Sequence, residues 1–589
     1  VKNTNHEKKW EIRPQYHDIQ KLLSPELGIS PLLSQLLAIR NITTPEEAEM
    51  FLSPKLSNLH SPFLMKDMEK AVDRICHAIK EGEQIILYGD YDVDGVTGTS
   101  LLFLFLKELG AQVSFFIPGR IEEGYGLHEK VLKKISQQGN QLLITIDCGI
   151  SDNEQVRFAG QNGLDVIITD HHEVPEQLPP AYAVLNPKRT DCNFPFKGLA
   201  GVGVVFKLLM ALRKSLRDQG FFNGETPPNL KHYLDLVALG TIADMVPLVD
   251  ENRILVKYGL NELTHGNRVG IKALKEVCGI SAVTITSYLV AFRLAPRINA
   301  PGRLSQAVKS VELLTTEDYG MAQELALSLE QENSQRQQLE ARIVKEACKL
   351  IEATPQWEER KSIVLAGSDW HPGVIGICAS RILDKYYKPS ILISCDEDKG
   401  IGRGSARSTE SFDLYKGLKA SAHLLQNYGG HRAAAGLTLG LDQLDDFQNH
   451  FEKVVSESIS QDDFVASILI DAEVSLRQIS EKLVHEISLL EPFGLCNPEP
   501  LLSSLAFDSY SSRVVGNGHL KLTIKEKNLS YDAIGFNLAE RFSPVLNGAP
   551  NVSHQGKTKV KIAFVPQIND WQGTRSVQLK IRDIKCVED

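Results

Sequence analysis

Apolar residues along this chain change their period several times, and each change predicts a different kind of element. Up to about residue 80 they recur at helical spacing in short stretches broken by turn residues. One such stretch is "NITTPEEAEMFLSP", where Thr43 or Thr44 is placed to cap a helix whose first turn is acidic. From there to about residue 250, strand-like runs alternate with helical ones. "QIILYG" precedes the helix-like "VTGTSLLFLFLKELG", and "QVSFFIP", "QLLITI" and "LDVIIT" follow. That alternation predicts an open, mainly parallel α/β sheet, doubly wound with helices on both faces.

Residues 316–352 keep helical periodicity without a proline, which predicts one long helix connecting two lobes. A second α/β segment follows, with strands "SIVLAG" and "SILIS" and the glycine-rich runs "GIGRGSARS" and "GGHRAAAG". From about residue 465 the pattern becomes short alternating strands ("HLKLTI", "KVKIAFVP", "VQLKIRDI"), as in a small β-barrel of the OB type. The expected divisions are therefore 1–60 (helical), 61–260 (first α/β domain), 261–352 (helical region and connecting helix), 353–460 (second α/β domain) and 461–589 (barrel).

Composition narrows the class. The 589 residues are 42% hydrophobic and 23% charged, the balance of an ordinary globular protein. The longest apolar runs, such as "LLFLFL", are of helix-core size, so no membrane span is expected. The N-terminal "VKNTNHEKKWEIRP" lacks the apolar stretch of a secretory signal. Nine scattered cysteines without a C-x-x-C pair argue against a disulfide framework or a structural zinc site and point to a reducing cytoplasm. A net charge of -10 excludes a generally basic nucleic-acid coat, so a polyanion would need a local basic groove or bound metals.

Metals are what the strand ends suggest. "LYGDYDVDG" sets Asp90, Asp92 and Asp94 on alternate residues, "QLLITI" ends at Asp147, and "LDVIIT" ends at Asp170-His171-His172. Asp244 lies just after an apolar helix, in "GTIADMV". Taken singly, each has a plain alternative: an Asp after a strand usually caps a helix or turn, and a His pair is more often surface or satisfied core. Independent caps would not supply carboxylates and a His pair at successive strand ends, where α/β sheets hold their ligands. The set suits two divalent ions about 3.5–4 Å apart, with a bridging carboxylate. Mixed Asp/His ligation favours Mn²⁺ or Mg²⁺, with Asp170 expected to orient His171 rather than bind metal.

Arginines suit phosphate, because the guanidinium fork is planar and permanently charged. Arg293, Arg297 and Arg303 cluster in "FRLAPRINAPGR", and Arg403 and Arg407 in "GRGSARS". His371 in "WHPGVIG" and His431 in "GGHRAAAG" sit beside glycines near expected helix starts, which fits phosphate-backbone contacts. After residue 551 come Lys557, Lys559, Lys561, Arg575, Lys580, Arg582 and Lys585 against four acidic residues, with Trp571 nearby. A strand-rich basic tail of this kind fits a single-strand-binding OB-fold, and ordinary solvation is the plain alternative.

The motifs D-Y-D-V-D-G, I-D-C-G, T-D-H-H and G-T-I-A-D together resemble those of the DHH phosphoesterase superfamily. "FRLAPRINAPGRL", "SDWHPGVIGICASRI", "GRGSARS" and "GGHRAAAG" narrow the resemblance to the bacterial RecJ-type single-strand exonucleases, over nearly the whole chain. The resemblance implies a DHH domain joined by a long helix to a DHHA1 domain, with an OB-fold behind it. It implies that Asp92, Asp94, Asp147, His171 and Asp244 hold two metals, with Asp147 as the bridge. His172 would contact the scissile phosphate, and Asp90 would be either a ligand or a water-mediated neighbour. Arg120, Ser405 and Arg407 would grip a 5' phosphate, and His431 would contact nucleic acid.

The implied reaction is stepwise release of 5'-mononucleotides from single-stranded DNA, in recombination and repair, by a monomer. Single-strand-binding protein and a RecQ-type helicase would be its partners. Two other readings stand beside it: a DHH phosphoesterase of short oligonucleotides, and a non-catalytic DNA-binding scaffold. Such phosphoesterases are shorter chains, and a scaffold has no need of the clustered carboxylates.

Overall fold

The computed structural model describes residues 8–120, 123–460, 466–516, 518–526, 528–542, 553–571 and 574–587. The chain divides into two compact units. The larger comprises His60–Val246 and Leu255–Val465; the other comprises residues up to Leu59, Pro247–Ile254, and those from Ala466 onward.

In the larger unit, strands β1 (Ile85–Gly89), β2 (Val113–Phe116), β3 (Leu142–Ile146), β4 (Asp165–Thr169) and β5 (Ala183–Leu185) form a parallel sheet in the order β2-β1-β3-β4-β5. β1 and β3 are buried throughout, which explains their unbroken apolar runs: both faces are covered, so neither can be polar. On one side Ile86, Tyr88, Leu143 and Ile168 pack with Leu132, Ile135, Val156 and Ala159 from two helices. On the other lies α1 (Val93–Glu108), packed against α2 (Gly201–Asp218) and α3 (Leu234–Ala243). After β1 the chain goes to one side of the sheet, and after β2 it crosses to the other. The carboxyl ends of β1 and β3 therefore flank a topological switch point, where this architecture opens a crevice.

A helical run from Ser287 to Leu304 follows: one α-turn, a π-turn over Val290–Leu294, then α4 (Ala295–Leu304). Pro296 has no N–H to donate, and the π-turn is closed by the Ala295 N–H on the Val290 carbonyl. The long helix α5 (Tyr319–Ala353) then extends 35 residues, as its periodicity predicts, starting from Asp318, which accepts the Met321 N–H. A second sheet has the order β9-β10-β8-β7-β6, built from β6 (Ile363–Gly367), β7 (Ser390–Asp396), β8 (Ile401–Arg407), β9 (Asn427–Gly430) and β10 (Ala434–Gly440). Helix α6 (Ile375–Tyr386) lies between β6 and β7 in the chain.

The glycine-rich run "GRGSAR" is strand β8; a side chain at Gly402 would meet Ile393, and one at Gly404 would meet Leu437. "GGHRAAAG", expected near a helix start, is instead a hairpin between β9 and β10.

In the other unit, β11 (Phe507–Val515), β12 (His519–Glu526), β13 (Leu529–Gly535), β14 (Ser553–Trp571) and β15 (Thr574–Val587) pair in the ring β11-β12-β13-β15-β14-β11. A short helix, Ala539–Phe542, lies between β13 and β14. That is a closed five-stranded barrel with the OB strand order. The first 59 residues are not a separate helical segment. Leu23, Leu33, Leu36 and Leu37 share one core with Leu522, Ile562 and Phe564 of the barrel, and strand Lys9–Ile12 pairs parallel with Ser467–Ile470. Arg253 pins the inserted piece by donating to the carbonyls of Phe51, Leu489 and Leu490 at 3.0, 3.1 and 2.8 Å. The helix cap at the chain's start is Thr44, in a capping box with Glu47.

Candidate metal centre

The centre is built where β1, β3 and β4 end. Asp92 caps α1: its Oδ1 accepts the N–H groups of Asp94 and Gly95 at 2.9 and 3.1 Å. Gly95 is obligatory there, since a Cβ would lie 2.6–2.8 Å from the backbone of Asp90. Asp94, in the first turn of α1, faces the start of α2, and its two oxygens accept the N–H groups of Gly201 (2.6 Å) and Val202 (2.8 Å). Asp147 leaves β3 with φ of 62°, a left-handed conformation that costs a non-glycine residue about 1–3 kcal/mol. Asp244 is the C-cap of α3, and Met245 after it is again left-handed, at φ 58°.

His171 is the hub. Its Nε2 lies 3.2 Å from Asp147 Oδ1, 3.4 Å from Asp244 Oδ2 and 3.8 Å from Asp94 Oδ2. Burial, helped by neighbouring His172, pushes its pKa down to about 4, so the ring is neutral and offers a lone pair. The carboxylates are pushed the opposite way, first by burial and then by one another. Asp94 rises to about 7 and Asp244 to about 8, while Asp90 and Asp147 rise well above the ordinary carboxylate range.

Asp90 Oδ1, Asp147 Oδ1, His171 Nε2 and Asp244 Oδ2 are all buried without a hydrogen-bond partner among the described residues. Acceptors left bare in one place, with no donor to serve them, fit a cation and little else. Ligand atoms of Asp90, Asp92 and Asp147, of Asp94, His171 and Asp244, and of Asp147, His171 and His172 lie within 4.8 Å of one another in each set. Asp147 belongs to two of these sets. The donors are oxygen and imidazole nitrogen, the choice of Mn²⁺ or Mg²⁺; the nearby Cys148 thiol instead reaches the Tyr88 carbonyl at 3.7 Å.

Asp170 does not orient the His171 ring, as expected from sequence, but the His172 ring. Its Oδ1 lies 2.8 Å from His172 Nδ1 and also accepts the His171 and His172 backbone N–H groups; its Oδ2 accepts Ile150 N–H at 3.0 Å. Burial alone would lower the His172 pKa, but the Asp170 bond and charge outweigh it and raise it to about 9.

Several residues escaped the sequence reading. The Tyr125 hydroxyl donates to the Asp147 carbonyl at 3.1 Å and stands 3.2 Å from His172 Nδ1. A Cβ at Gly201 would strike Asp147 and Asp94 at 2.9–3.0 Å, and one at Gly240 would strike Asp94 Oδ1 at 2.9 Å. The glycines of "GLAGVG" and "GTIAD" were a visible signal; nothing in the sequence distinguished Tyr125.

Beside the carboxylates stand arginines that no carboxylate neutralises among the described residues. Burial and then Arg120 lower both Arg303 (to about 10) and Arg407, which puts the three guanidiniums close together. Among the described residues none of the three is in an ion pair; Arg120 lies over the Tyr91 ring at 5.2 Å, and Arg303 donates to the Gly373 carbonyl at 3.2 Å. Alternation along β8 sets Arg403, Ser405 and Arg407 on one face. Arg407 Nη1 lies 3.3 Å from Ser405 Oγ, and a Cβ on Gly376, in the first turn of α6, would meet both side chains. A helix start, a hydroxyl and a guanidinium thus converge on one anion-sized place.

Arg297, expected at DNA, is instead 7% exposed. It pairs with Glu330 of α5 and donates at 2.7 Å to the Arg293 carbonyl beside the π-turn. His371 Nδ1 accepts the Gly373 N–H at 3.1 Å, and His431 is exposed in its hairpin. In the barrel unit, Lys561, Arg575 and Arg582 are paired with Glu473, Glu481 and Glu499. The side chains of Lys557 and Trp571 lie outside the described residues.

Comparison with known proteins agrees with this architecture. The DHH family N-terminal domain matches residues 84–241, the DHHA1 domain 359–457 and the RecJ OB domain 470–583. A DHH domain followed by DHHA1 is thus the class that the sheet order and the carboxylate–histidine cluster define. "Single-stranded-DNA-specific exonuclease RecJ" of Bacillus subtilis is 39% identical over 98% of this chain and 71% of its own length. The Escherichia coli protein of the same name is 35% identical over 98% of this chain and 99% of its own length. The crystal structure of RecJ from Thermus thermophilus in complex with Mn²⁺ superposes with a TM-score of 0.82 at 30% identity, covering 99% of this chain and 80% of that one. Its Mg²⁺ complex superposes with a TM-score of 0.76 at 29% identity, covering 99% of this chain and 79% of that one. The chain belongs to the RecJ family.

Proposed function

We propose that this chain is a metal-dependent 5'-to-3' exonuclease that hydrolyses single-stranded DNA to 5'-mononucleotides in recombination and repair. The observation that carries the reading is the set of buried ligand atoms of Asp90, Asp147, His171 and Asp244, without hydrogen-bond partners among the described residues, beside an arginine cluster in no ion pair among them. Asp92, Asp94, Asp147, His171 and Asp244 would hold two Mn²⁺ or Mg²⁺ ions, with Asp147 between them and Asp90 at the edge of the set. When bound, the ions supply a nucleophile at neutral pH and neutralise charge on the scissile phosphate.

The remaining work falls to the protein's own groups. His172, held protonated by Asp170, donates to a non-bridging oxygen of the scissile phosphate and stabilises the charge developing there. Arg120, Arg303, Ser405 and Arg407 take a terminal 5' phosphate, which sets the first phosphodiester bond over the carboxylates and so fixes polarity. His371 and His431 contact the strand's backbone, and the barrel carries its distal part. Residues 61–260, apart from the Pro247–Ile254 stretch of the other unit, are the proposed metal domain, 353–460 the phosphate-gripping domain and 461–589 the strand-binding domain, with 1–60 as its helical support. No helix among the described residues is long and apolar enough to cross a membrane. Action as a cytoplasmic monomer, alongside single-strand-binding protein and a RecQ-type helicase, is proposed on family membership alone.

An oligonucleotide phosphoesterase is the second reading, and the closed barrel disfavours it because a dinucleotide has no use for one. The test follows 5'-labelled and 3'-labelled single strands in Mn²⁺, with a dinucleotide in parallel. The expected result is immediate release of the 5' label as a mononucleotide while the 3' label stays on a shortening ladder. Release of the 3' label first, or cleavage of the dinucleotide alone, overturns the proposal.

A further inference from the structure

Tyr288 and Phe292 are 61% and 64% exposed, yet they lie against each other with ring centroids 4.7 Å apart and planes tilted by 35°. Two large rings exposed side by side on a helix form a contiguous apolar patch, the kind of surface that marks a binding site. The helix carrying them continues to Arg303. Along it Leu294, Ala295, Arg297, Ile298 and Ala300 are buried, while Phe292 is exposed and Pro296, Asn299 and Arg303 are half-buried. Those last spacings of four, three and four residues put them on one helical face. That face therefore runs from the aromatic pair to the arginine that stands with Arg120 and Arg407. At 1.5 Å per residue the distance from Phe292 to Arg303 is about 16 Å.

Charge names the occupant. From Gly279 to Val311 the chain has four basic residues and no acidic one. Arg297 and Lys309 are neutralised by Glu330 and Glu332 of α5, but Arg293, next to Phe292, is exposed and in no ion pair among the described residues. An aromatic pair beside a guanidinium that no described carboxylate neutralises, continuous with a phosphate-gripping cluster, has the composition of a single-strand track: rings for bases, cations for the backbone.

We propose that Tyr288 and Phe292 form a stacking platform for bases of the single strand, a few nucleotides to the 3' side of the gripped terminal phosphate. This rests on the exonuclease reading given above. Stacked nucleotides advance about 3.4 Å each, so 16 Å corresponds to at most about five of them, and fewer in an extended strand. The platform holds the strand by its base faces, without regard to sequence, while Arg303 and its neighbours hold the end.

The test is a double-mutant cycle between protein and DNA, read as binding in EDTA so that it does not depend on turnover. The variant is Tyr288→Leu with Phe292→Leu, and the strand is an oligothymidylate of about twelve nucleotides, within the usual single-strand site sizes. A second strand lacks bases at roughly the third to sixth nucleotides but keeps its phosphates. On the intact strand the variant should bind at least about fivefold more weakly, since one stacked base contributes about 1–3 kcal/mol. On the abasic strand variant and wild type should bind alike. The aromatic exchange Tyr288→Phe with Phe292→Tyr should retain wild-type affinity, which a leucine-induced folding defect would not explain.

An undiminished affinity on the intact strand, or an equal loss on both strands, overturns the platform. If instead wild-type protein binds as described but releases no mononucleotide from any single strand in Mn²⁺, the exonuclease reading fails and the platform stands.

Discussion

Replacing Gly201 by alanine sets two effects against each other. Gly201 opens α2 and does not occupy the left-handed region, so alanine fits its backbone and, by helix propensity, does no harm to stability. Its Cβ, however, would lie 2.9 Å from Asp147 Cβ and Oδ1 and 3.0 Å from Asp94 Oδ2. Relief to ordinary van der Waals separation requires a shift of about 0.5 Å. Asp147 is fixed at the end of a buried strand, so the start of α2 must retreat. It takes with it the Gly201 and Val202 N–H groups that bind Asp94 at 2.6 and 2.8 Å. Hydrogen bonds to a charged group contribute about 1.5–3 kcal/mol each. Weakening the pair by about 2 kcal/mol in the transition state lowers turnover roughly 30-fold. A misplacement of 1 Å at a catalytic group is known to cost about a hundredfold.

The assay is mononucleotide release from a saturating 5'-phosphorylated strand in Mn²⁺, with the thermal midpoint measured in EDTA. Turnover should fall 10- to 100-fold, by about 1.4–2.7 kcal/mol, while the midpoint falls by no more than a few degrees and the protein stays folded at the assay temperature. Gly203→Ala is the control, because the atoms nearest its Cβ would be those of Leu199, from 3.3 Å, and not the carboxylates. A Gly201→Ala enzyme within about twofold of wild-type turnover, a barrier change near 0.4 kcal/mol, would refute the packing of α2 against the carboxylates as the device that positions them.

Metal-free protein should gain thermal stability when Mn²⁺ is added, by about 2.7 kcal/mol at a hundredfold excess over Kd. The gain should shrink as pH falls through about 8 and then about 7, where Asp244 and Asp94 take up protons that the ion must displace; a gain independent of pH would contradict their role as ligands. In EDTA, Asp170→Asn removes the group that raises His172. The stability from that raised pKa is complete below about pH 6.5 and lost as pH rises through about 9. The unfolding free-energy gap between wild type and variant, from urea melts, should therefore narrow between about pH 6 and pH 10, and a constant gap would count against the pairing. Arg407→Ala should cost about 1.5–3 kcal/mol on 5'-phosphorylated strands and less on 5'-hydroxyl strands; equal losses would place Arg407 elsewhere on the DNA.

Most of the metal centre was legible because two simple periodicities converge on it. Buried parallel strands read as apolar runs, and whatever follows their carboxyl ends lies in the crevice, so Asp90, Asp147 and His171 announced themselves. What stayed hidden depends on three-dimensional neighbours. Nothing in "TDHH" tells which ring the Asp170 carboxylate reaches, since that is set by the turn after β4. Arg297 read like its neighbours, but its direction follows from the π-turn carbonyl and Glu330, partners 4 and 33 residues away. "GRGSARS" has the composition of a loop and forms a strand because Ile393 and Leu437 cross over its glycines. The first 59 residues showed helical amphipathicity correctly, but amphipathicity says only that a face is buried, never against what.

The split unit has a consequence for how the chain is made. Lys9–Ile12 finds its strand partner only at Ser467–Ile470, and the Trp10 indole finds its acceptor at Asp583, 573 residues later. During synthesis the early helices must wait, with Leu23, Leu33 and Leu36 unburied, while the intervening parallel sheet already has all its strands within reach of one another. The ribosome thus releases the metal-binding lobe with its own core completed and the barrel's core still in two pieces. Closing that gap joins ends of a very long loop, whose entropic penalty grows only logarithmically with its length. The delay consequently burdens the rate of maturation, and exposure to aggregation in the interval, far more than the final stability.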